Sequence, residues 1–426
     1  MFLINSQKKL NISVVTLLYL SLLVGFVLNE DTLGAAFIDY HGTTVQVFKA
    51  FENNFVNTFY NYSETGARHS PFFFIILYKL YYLFEGDLIF RLFFLHINLI
   101  IPYYFYKCLR IKFGNFPKLT IYLLPVIFLS PTFRSYAIWP DSFSFGLIFF
   151  TISTYYFLKF SKKGNFKDVI LNILFLSLSA YCSPNFAIFS LYFFYHFCLF
   201  FNKDFNKVII IIASNFFLAS FALYYIFYLK VNFFQFGLDV YGYSENILSV
   251  QNLSNKILLV PIVIFFHSFV FFIHEFKFFN FNRNNFITVL IVVFVVILSF
   301  NNHDYSEVYK YIKGGGIFYK IFYELNYLYL IVIPSIISLF CTFIFVKKNI
   351  NNFLIILIIL LSNPQFSIYH NYFEPILYFF ILFFVKEINF QVLNNKKIIF
   401  INLFVIIFYF ISLTKESVTT LFSLIS

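Results

Sequence analysis

The stretch FIDYHGTTV, residues 37–45, sets a carboxylate, Asp39, two residues before an imidazole, His41, directly after the first apolar run of the chain. A carboxylate so placed can take a proton from a hydroxyl, and the imidazole beside it can orient or share that proton. Four further stretches collect the same kinds of residue. TGARHSPFFF carries Arg68 and His69 ahead of Pro71, and SPTFRSYAIWPDS carries Arg134, Asp141 and the single tryptophan, Trp139. NNHDYSEVYKYIKGGG supplies His303, Asp304, Lys310 and Lys313 ahead of three glycines, and NPQFSIYHNYFEP supplies His370, Tyr372 and Glu374. Together they offer bases for a hydroxyl and cations for an anion. Each alone also has an ordinary explanation. Arg68 can snorkel to headgroups and Trp139 can anchor at an interface. The glycine triplet lacks the strand and helix that flank a phosphate-binding P-loop, so it reads as a turn.

The elements that must position these residues follow from composition. The chain of 426 residues is 61% hydrophobic and 12% charged, with a mean hydropathy of +0.81, whereas soluble domains carry about 25% charged residues. This predicts an all-α polytopic membrane protein. The net charge of +11 is spread as short clusters between apolar runs, a pattern that excludes nucleic acid as the partner. The four cysteines, Cys108, Cys182, Cys198 and Cys341, have no paired spacing and read as small buried hydrophobes. Lys8 and Lys9 precede an apolar run with no prompt cleavage site, so the run reads as a retained span.

Thirteen crossings are expected, near 12–28, 88–106, 119–132, 143–158, 169–182, 186–201, 208–229, 257–275, 286–300, 327–346, 352–361, 372–385 and 398–413. With Lys8 and Lys9 in the cytoplasm, this threading puts 19 of the 30 basic residues but only 4 of the 19 acidic ones inside. That asymmetry is what the positive-inside rule demands. Residues 71–84 stay outside as an interfacial helix, because fourteen residues reach about 21 Å against a hydrocarbon core of about 30 Å. Residues 43–62 carry Val45, Phe48, Phe51, Phe55 and Phe59 at helical spacing and predict an amphipathic helix. Residues 29–87 thus read as a long outer loop of interfacial helices, inserted after the first span of a single transmembrane domain, 1–426. No internal repeat divides the chain.

On this threading the polar stretches fall on the outer face, above an apolar bundle. That suits a substrate with one charged and one lipid end, such as a sugar on a polyprenyl phosphate. Asp39 would deprotonate the acceptor hydroxyl while Arg68 and Arg134 hold the leaving phosphate.

The order of these segments resembles the GT-C class of integral-membrane glycosyltransferases, which includes protein O-mannosyltransferases and the bacterial lipid A aminoarabinose transferase. The resemblance covers roughly residues 1–160. A first span leads to the acidic FIDYHGT, then TGARHSPFFF is similar to an Arg/His-Pro-Pro-Leu-Tyr-like segment. EGDLIFRLFFLHINLI and the Asp141 stretch follow, with HNYFEP as a looser late likeness. A single Pro71 stands for the usual proline pair, Asp39-Tyr40 stands for an Asp-Glu pair, and no soluble domain follows the last span. The resemblance implies Asp39 as the catalytic carboxylate and Asp141 as a second acidic site residue. It also implies Arg68 and His69 as phosphate or acceptor contacts.

The sequence therefore predicts a glycosyltransferase with a GT-C-like fold in the bacterial plasma membrane, its site facing the periplasm or outside. The donor would be a polyprenyl-phosphate sugar and the acceptor a glycan, lipid or protein. The remaining expected substrate contacts are His41, Lys313, His370, Tyr372 and Glu374. No cofactor is required, although Asp39, His41 and His69 could ligate a divalent metal. Two other classes fit the outward polar groups: an O-antigen-type polymerase or ligase, and a polytopic lipid or sugar transporter. The last would use His96, His196 or His267 within its spans, where each also reads as a packed core histidine.

Overall fold

Short polar side chains start several of the helices. Asp141 caps the helix Ser142–Lys163 by accepting the Phe143 N–H, and Gly164, at φ +68, closes it in the left-handed conformation. Asp204 likewise caps Phe205–Phe227, and Ser130 caps Pro131–Ile138 with proline at its start. The computed structural model describes residues 2–425 apart from 34, 68, 85, 115–116, 232–248, 273–282, 348, 364–365 and 386–394. Among the described residues the secondary structure is helical throughout, without strands.

Five helices are long and apolar enough to cross a membrane: Asp87–Phe113, Ser142–Lys163, Phe205–Phe227, Val250–Phe271 and Lys396–Thr414. The pair Thr120–Phe128 and Pro131–Ile138 is long and apolar enough only when taken together, as a broken span or a re-entrant loop, and is bent by 60° where Pro131 and the residue before it cannot continue a straight helix. Six shorter apolar helices of 10–17 residues accompany them: Ile12–Val27, Pro71–Leu83, Pro184–Phe200, Phe286–Asn302, Leu328–Ile344 and Ile350–Ser362. The Phe205–Phe227 helix buries only Ile211, while Phe216 and Phe227 are 74% and 77% exposed. A surface this apolar on nearly every side of a helix is stable against hydrocarbon and not against water.

Two expected elements take a different form. The amphipathic stretch 43–62 is two helices, Val45–Asn53 and Phe55–Tyr60. They are separated at Asn54, whose extended backbone ends the first helix and whose side chain caps the second. Phe48 and Phe51 pack against Tyr81 and Tyr78 of Pro71–Leu83, and Val47 is buried with them. Over 372–385, the 3-10 turn His370–Tyr372 is followed only by Ile376–Phe379 and the π turn Phe380–Phe384. Those last two elements cover about 14 Å and every residue in them is buried, so they are a core helix.

The chain forms two compact units: Met1–Gln235 with Val405–Leu413, and Phe236–Phe404 with Thr414–Ser426. In the first, Ser142–Lys163 is the innermost long helix and forms a hairpin with Phe166–Cys182. The hairpin is tied within the apolar layer by Ser153 and Asn172, whose side chains bond each other and each other's carbonyls. In the second, Val250–Phe272 packs on Arg283–Asn302 and Val332–Lys347, and the Ser335 hydroxyl donates to the Leu258 carbonyl at 3.1 Å.

Candidate functional site

In the first unit, two helices run side by side from one end to the other in the same direction. Arg91 stacks its guanidinium on Trp139, 3.5 Å from the ring centroid; Phe94 meets Phe145 and Tyr104 meets Tyr155. The stretches beginning at Asp87 and at Ser142 therefore start together and end together. Their starting end gathers Glu30, Asp31, Asp39, Asp87 and Asp141, and their finishing end carries Lys107, Arg110, Lys112, Lys162 and Lys163.

At the acidic end the segment 36–44 is seated on Trp139. Asp31 holds its start, accepting the Leu33 and Phe37 N–H groups at 3.1 Å each. Phe37 meets the Trp139 ring edge-on at 4.9 Å between centroids, and His41 meets it at 5.7 Å. Asp39, half-buried, lies between those two contacts at the end of the short helix Ala36–Asp39. Directly after it, Tyr40–Thr44 is a π turn, an uncommon geometry that tends to occur where a helix is adapted to a task. Tyr40 anchors this turn by donating to Asp87 at 2.5 Å, and Asp87 pairs with Arg91 at 3.7 Å. Burial, then the Asp87 bond, pushes the Tyr40 phenol well above its usual range, so it stays a donor. Asp141 follows Trp139 by two residues. Burial raises its carboxyl to about 6, against the pull of the Phe143 and Ser142 hydrogen bonds.

Arg134 has a different position from that of an open phosphate ligand. Its side chain is 1% exposed. It forms a two-pronged pair with Glu30 at 2.7 and 2.6 Å, donates to the Ser21 hydroxyl and carbonyl at 3.1 and 2.8 Å, and lies over the Tyr409 ring. Glu30 also receives Tyr409 Oη, and its carbonyl accepts Trp139 Nε1–H at 3.2 Å. Gly25 makes room for this pair: a Cβ there would run into the Glu30 carboxylate and sit 2.8 Å from Arg134 Nη2. Arg134 is thus a strut that joins the first helix to the bent pair and seats Trp139. Arg68, expected to share its role, lies outside the described residues.

His69 is half-buried at the same end of the hairpin. The neighbouring Ser70 hydroxyl donates to the carbonyl of Tyr181 near the end of Phe166–Cys182, and Phe73 of the following helix meets Phe145. Asp39, His41 and His69 do not assemble a metal site: among the described residues no three His, Cys, Asp or Glu side chains do so.

Lys313, His370, Tyr372 and Glu374 belong to the second unit, where His370 lies at the glycine triplet that follows Lys313. Lys313 and the three glycines all have positive φ, from +57° to +99°, and glycine alone adopts such angles without strain. The Gly315 N–H donates to the Ile368 carbonyl at 2.7 Å, and Tyr305 bridges the same two segments, donating to the Lys313 carbonyl and accepting from Ile368. The loop then enters the helix Gly316–Glu324, whose Ile317 N–H donates to His370 Nε2 at 3.0 Å.

That one bond fixes a chain of tautomers. With Nε2 accepting, a neutral His370 carries its proton on Nδ1 and donates to His267 Nε2 at 2.9 Å; His267 then donates from Nδ1 to Tyr378 Oη at 3.3 Å. Lys313 is exposed, its amine 5.0 Å from the Tyr309 ring centroid. Tyr372 is half-buried near Ser367, and Glu374 is buried.

The sequence left Glu30, Asp87 and Arg91 unmarked as structural partners, and it offered His267 both as a transporter group and as a packed core histidine without pairing it to His370. EGDLIFRL held a signal for one of them, since Asp87 and Arg91 are four residues apart on one helix. Nothing local signals that Glu30 belongs to Arg134. Compared with protein-family models, curated proteins and solved structures, the chain matches none.

Proposed function

We propose that this protein is an integral-membrane glycosyltransferase that moves a sugar from a polyprenyl-phosphate donor to an acceptor outside the cytoplasm, in the manner of the GT-C class it resembles. The reading rests on one observation. The Asp39–His41 segment, held by Asp31 and by the Tyr40–Asp87 bond, lies on Trp139 immediately ahead of Asp141, at the end of the unit away from the lysines. Two carboxyl groups and an imidazole in one polar layer above an apolar bundle suit deprotonation of a hydroxyl during an inverting displacement. In this reading Asp39 is the base, and Arg68 and His69 face the leaving phosphate. Arg134, through Glu30, seats the Trp139 ring on which the Asp39 segment lies. A bacterial plasma membrane as the host goes with the proposal.

The test incubates purified protein with a panel of radiolabelled polyprenyl-phosphate sugars. Enzyme-dependent consumption that is lost in Asp39→Asn, with melting unchanged, supports the reading. No consumption across the panel, or full activity in Asp39→Asn, removes it.

A second reading, a transporter, is favoured by the Ile317–His370–His267–Tyr378 hydrogen-bond chain, because ionisable groups within apolar spans commonly serve transport. Flux of a lipid-linked sugar across liposomes without covalent product, lost in His267→Phe, would select it.

A further inference from the structure

The finishing end of the first unit gathers lysines that lie apart in the sequence. The hairpin turn at Gly164 packs directly on the end of Pro184–Phe200: Phe160 meets Phe200 at 4.9 Å, Phe166 meets Phe201 at 5.6 Å, and a Cβ on Gly164 would lie 2.9 Å from the Phe200 ring. This brings exposed Lys162, Lys163 and Lys167 of the hairpin next to exposed Lys203. The side-by-side register of Tyr104 with Tyr155 carries Arg110 and Lys112 to the level of Lys162 and Lys163. Among the described residues of these segments the only carboxylates are Asp168 and Asp204. Each already holds a lysine, Lys159 at 2.8 Å and Lys207 at 2.7 Å, and so neutralises none of the other four. Directly beside the ammonium groups are exposed apolar side chains, Phe200 at 55% and Phe205 at 74%.

We propose that this end is a binding surface for an anionic phospholipid, with the headgroup phosphate among Lys162, Lys163 and Lys203 and an acyl chain along Phe200 and Phe205. A soluble anion would use the lysines and leave the aromatic shelf bare. A zwitterionic lipid would use the shelf and gain little from the lysines. An amphipathic anion uses both. The attraction of a lysine at a lipid surface is worth about 1 kcal/mol, or about five-fold in affinity, and is screened by salt. The proposal is independent of the transfer chemistry at the other end.

Full-length protein in uncharged detergent is titrated with phosphatidylglycerol, with phosphatidylcholine of the same chains, and with inorganic phosphate. Bound lipid is counted by native mass spectrometry. Phosphatidylglycerol is expected to bind preferentially. The triple variant Lys162→Gln, Lys163→Gln, Lys203→Gln should weaken it about a hundred-fold at low salt and leave phosphatidylcholine unchanged. Lys49→Gln with Lys79→Gln, exposed positions away from this end, should leave both lipids unchanged. Equal binding of the two lipids, undiminished phosphatidylglycerol binding in the triple variant, or displacement of the lipid by equimolar inorganic phosphate would each overturn the assignment.

Discussion

Replacing Glu30 by glutamine keeps the shape of its side chain and removes the charge that Arg134 is built around. Arg134 is fully buried and donates two charge-assisted bonds to that carboxylate, at 2.7 and 2.6 Å. Breaking a buried pair by removing one partner leaves an uncompensated charge and costs about 3 to 5 kcal/mol. For a unit of this size that lowers the melting temperature on the order of 10 °C. Trp139 is the only tryptophan and donates its indole N–H to the Glu30 carbonyl, so its fluorescence reports melting from within the affected cluster. The double variant Glu30→Leu with Arg134→Met tests the reasoning further. Removing both charges together leaves neither stranded, so the pair should fall well short of the sum of its two single changes. Additive losses, or a Glu30→Gln variant that melts with wild type, would refute the picture of Arg134 as a strut. The same double variant bears on chemistry: retained transfer fits a strut, and abolished transfer in a folded protein returns Arg134 to the phosphate.

Three further outcomes follow from the same geometry. Gly25→Ala forces a methyl group into the Glu30–Arg134 contact and should destabilise by about 1 to 3 kcal/mol, seen as a lower Trp139 melting temperature. Gly315→Ala demands φ +75 of a residue with a Cβ, which would also sit 2.7 Å from Tyr319; a loss of at least about 1 kcal/mol should appear as faster proteolysis of the second unit. With its carboxyl raised to about 6, Asp141 is protonated below that pH. Transfer that needs the carboxylate should therefore rise through pH 6 and level off above it. The folded state holds this proton more tightly than the unfolded chain does, so stability from this group is full below its ordinary value of 3.8 and is lost as pH climbs through about 6. Asp141→Asn, which can still cap the helix, should abolish both trends in a pH–rate and pH–melting series.

The amino-acid sequence by itself determined the helical class and the apolar segments, because hydropathy is a local property read within a few residues. It also determined which ends carry lysine: within the first unit the basic clusters at 107–112 and 159–167 end up level with one another. Only the tertiary structure decided what each charge is for. Arg134 looks the same in sequence whether it faces a ligand or a buried carboxylate, and its partner lies 104 residues away. The glycine triplet looked like a turn, and the fold made it the surface on which Tyr305, Tyr319 and His370 close in. An apolar run such as 372–385 reads alike whether it meets lipid or protein, since hydrophobicity is non-directional and the partner is chosen by packing. The seating of Asp39 beside Trp139 likewise came from contacts about a hundred residues apart, which no local pattern encodes.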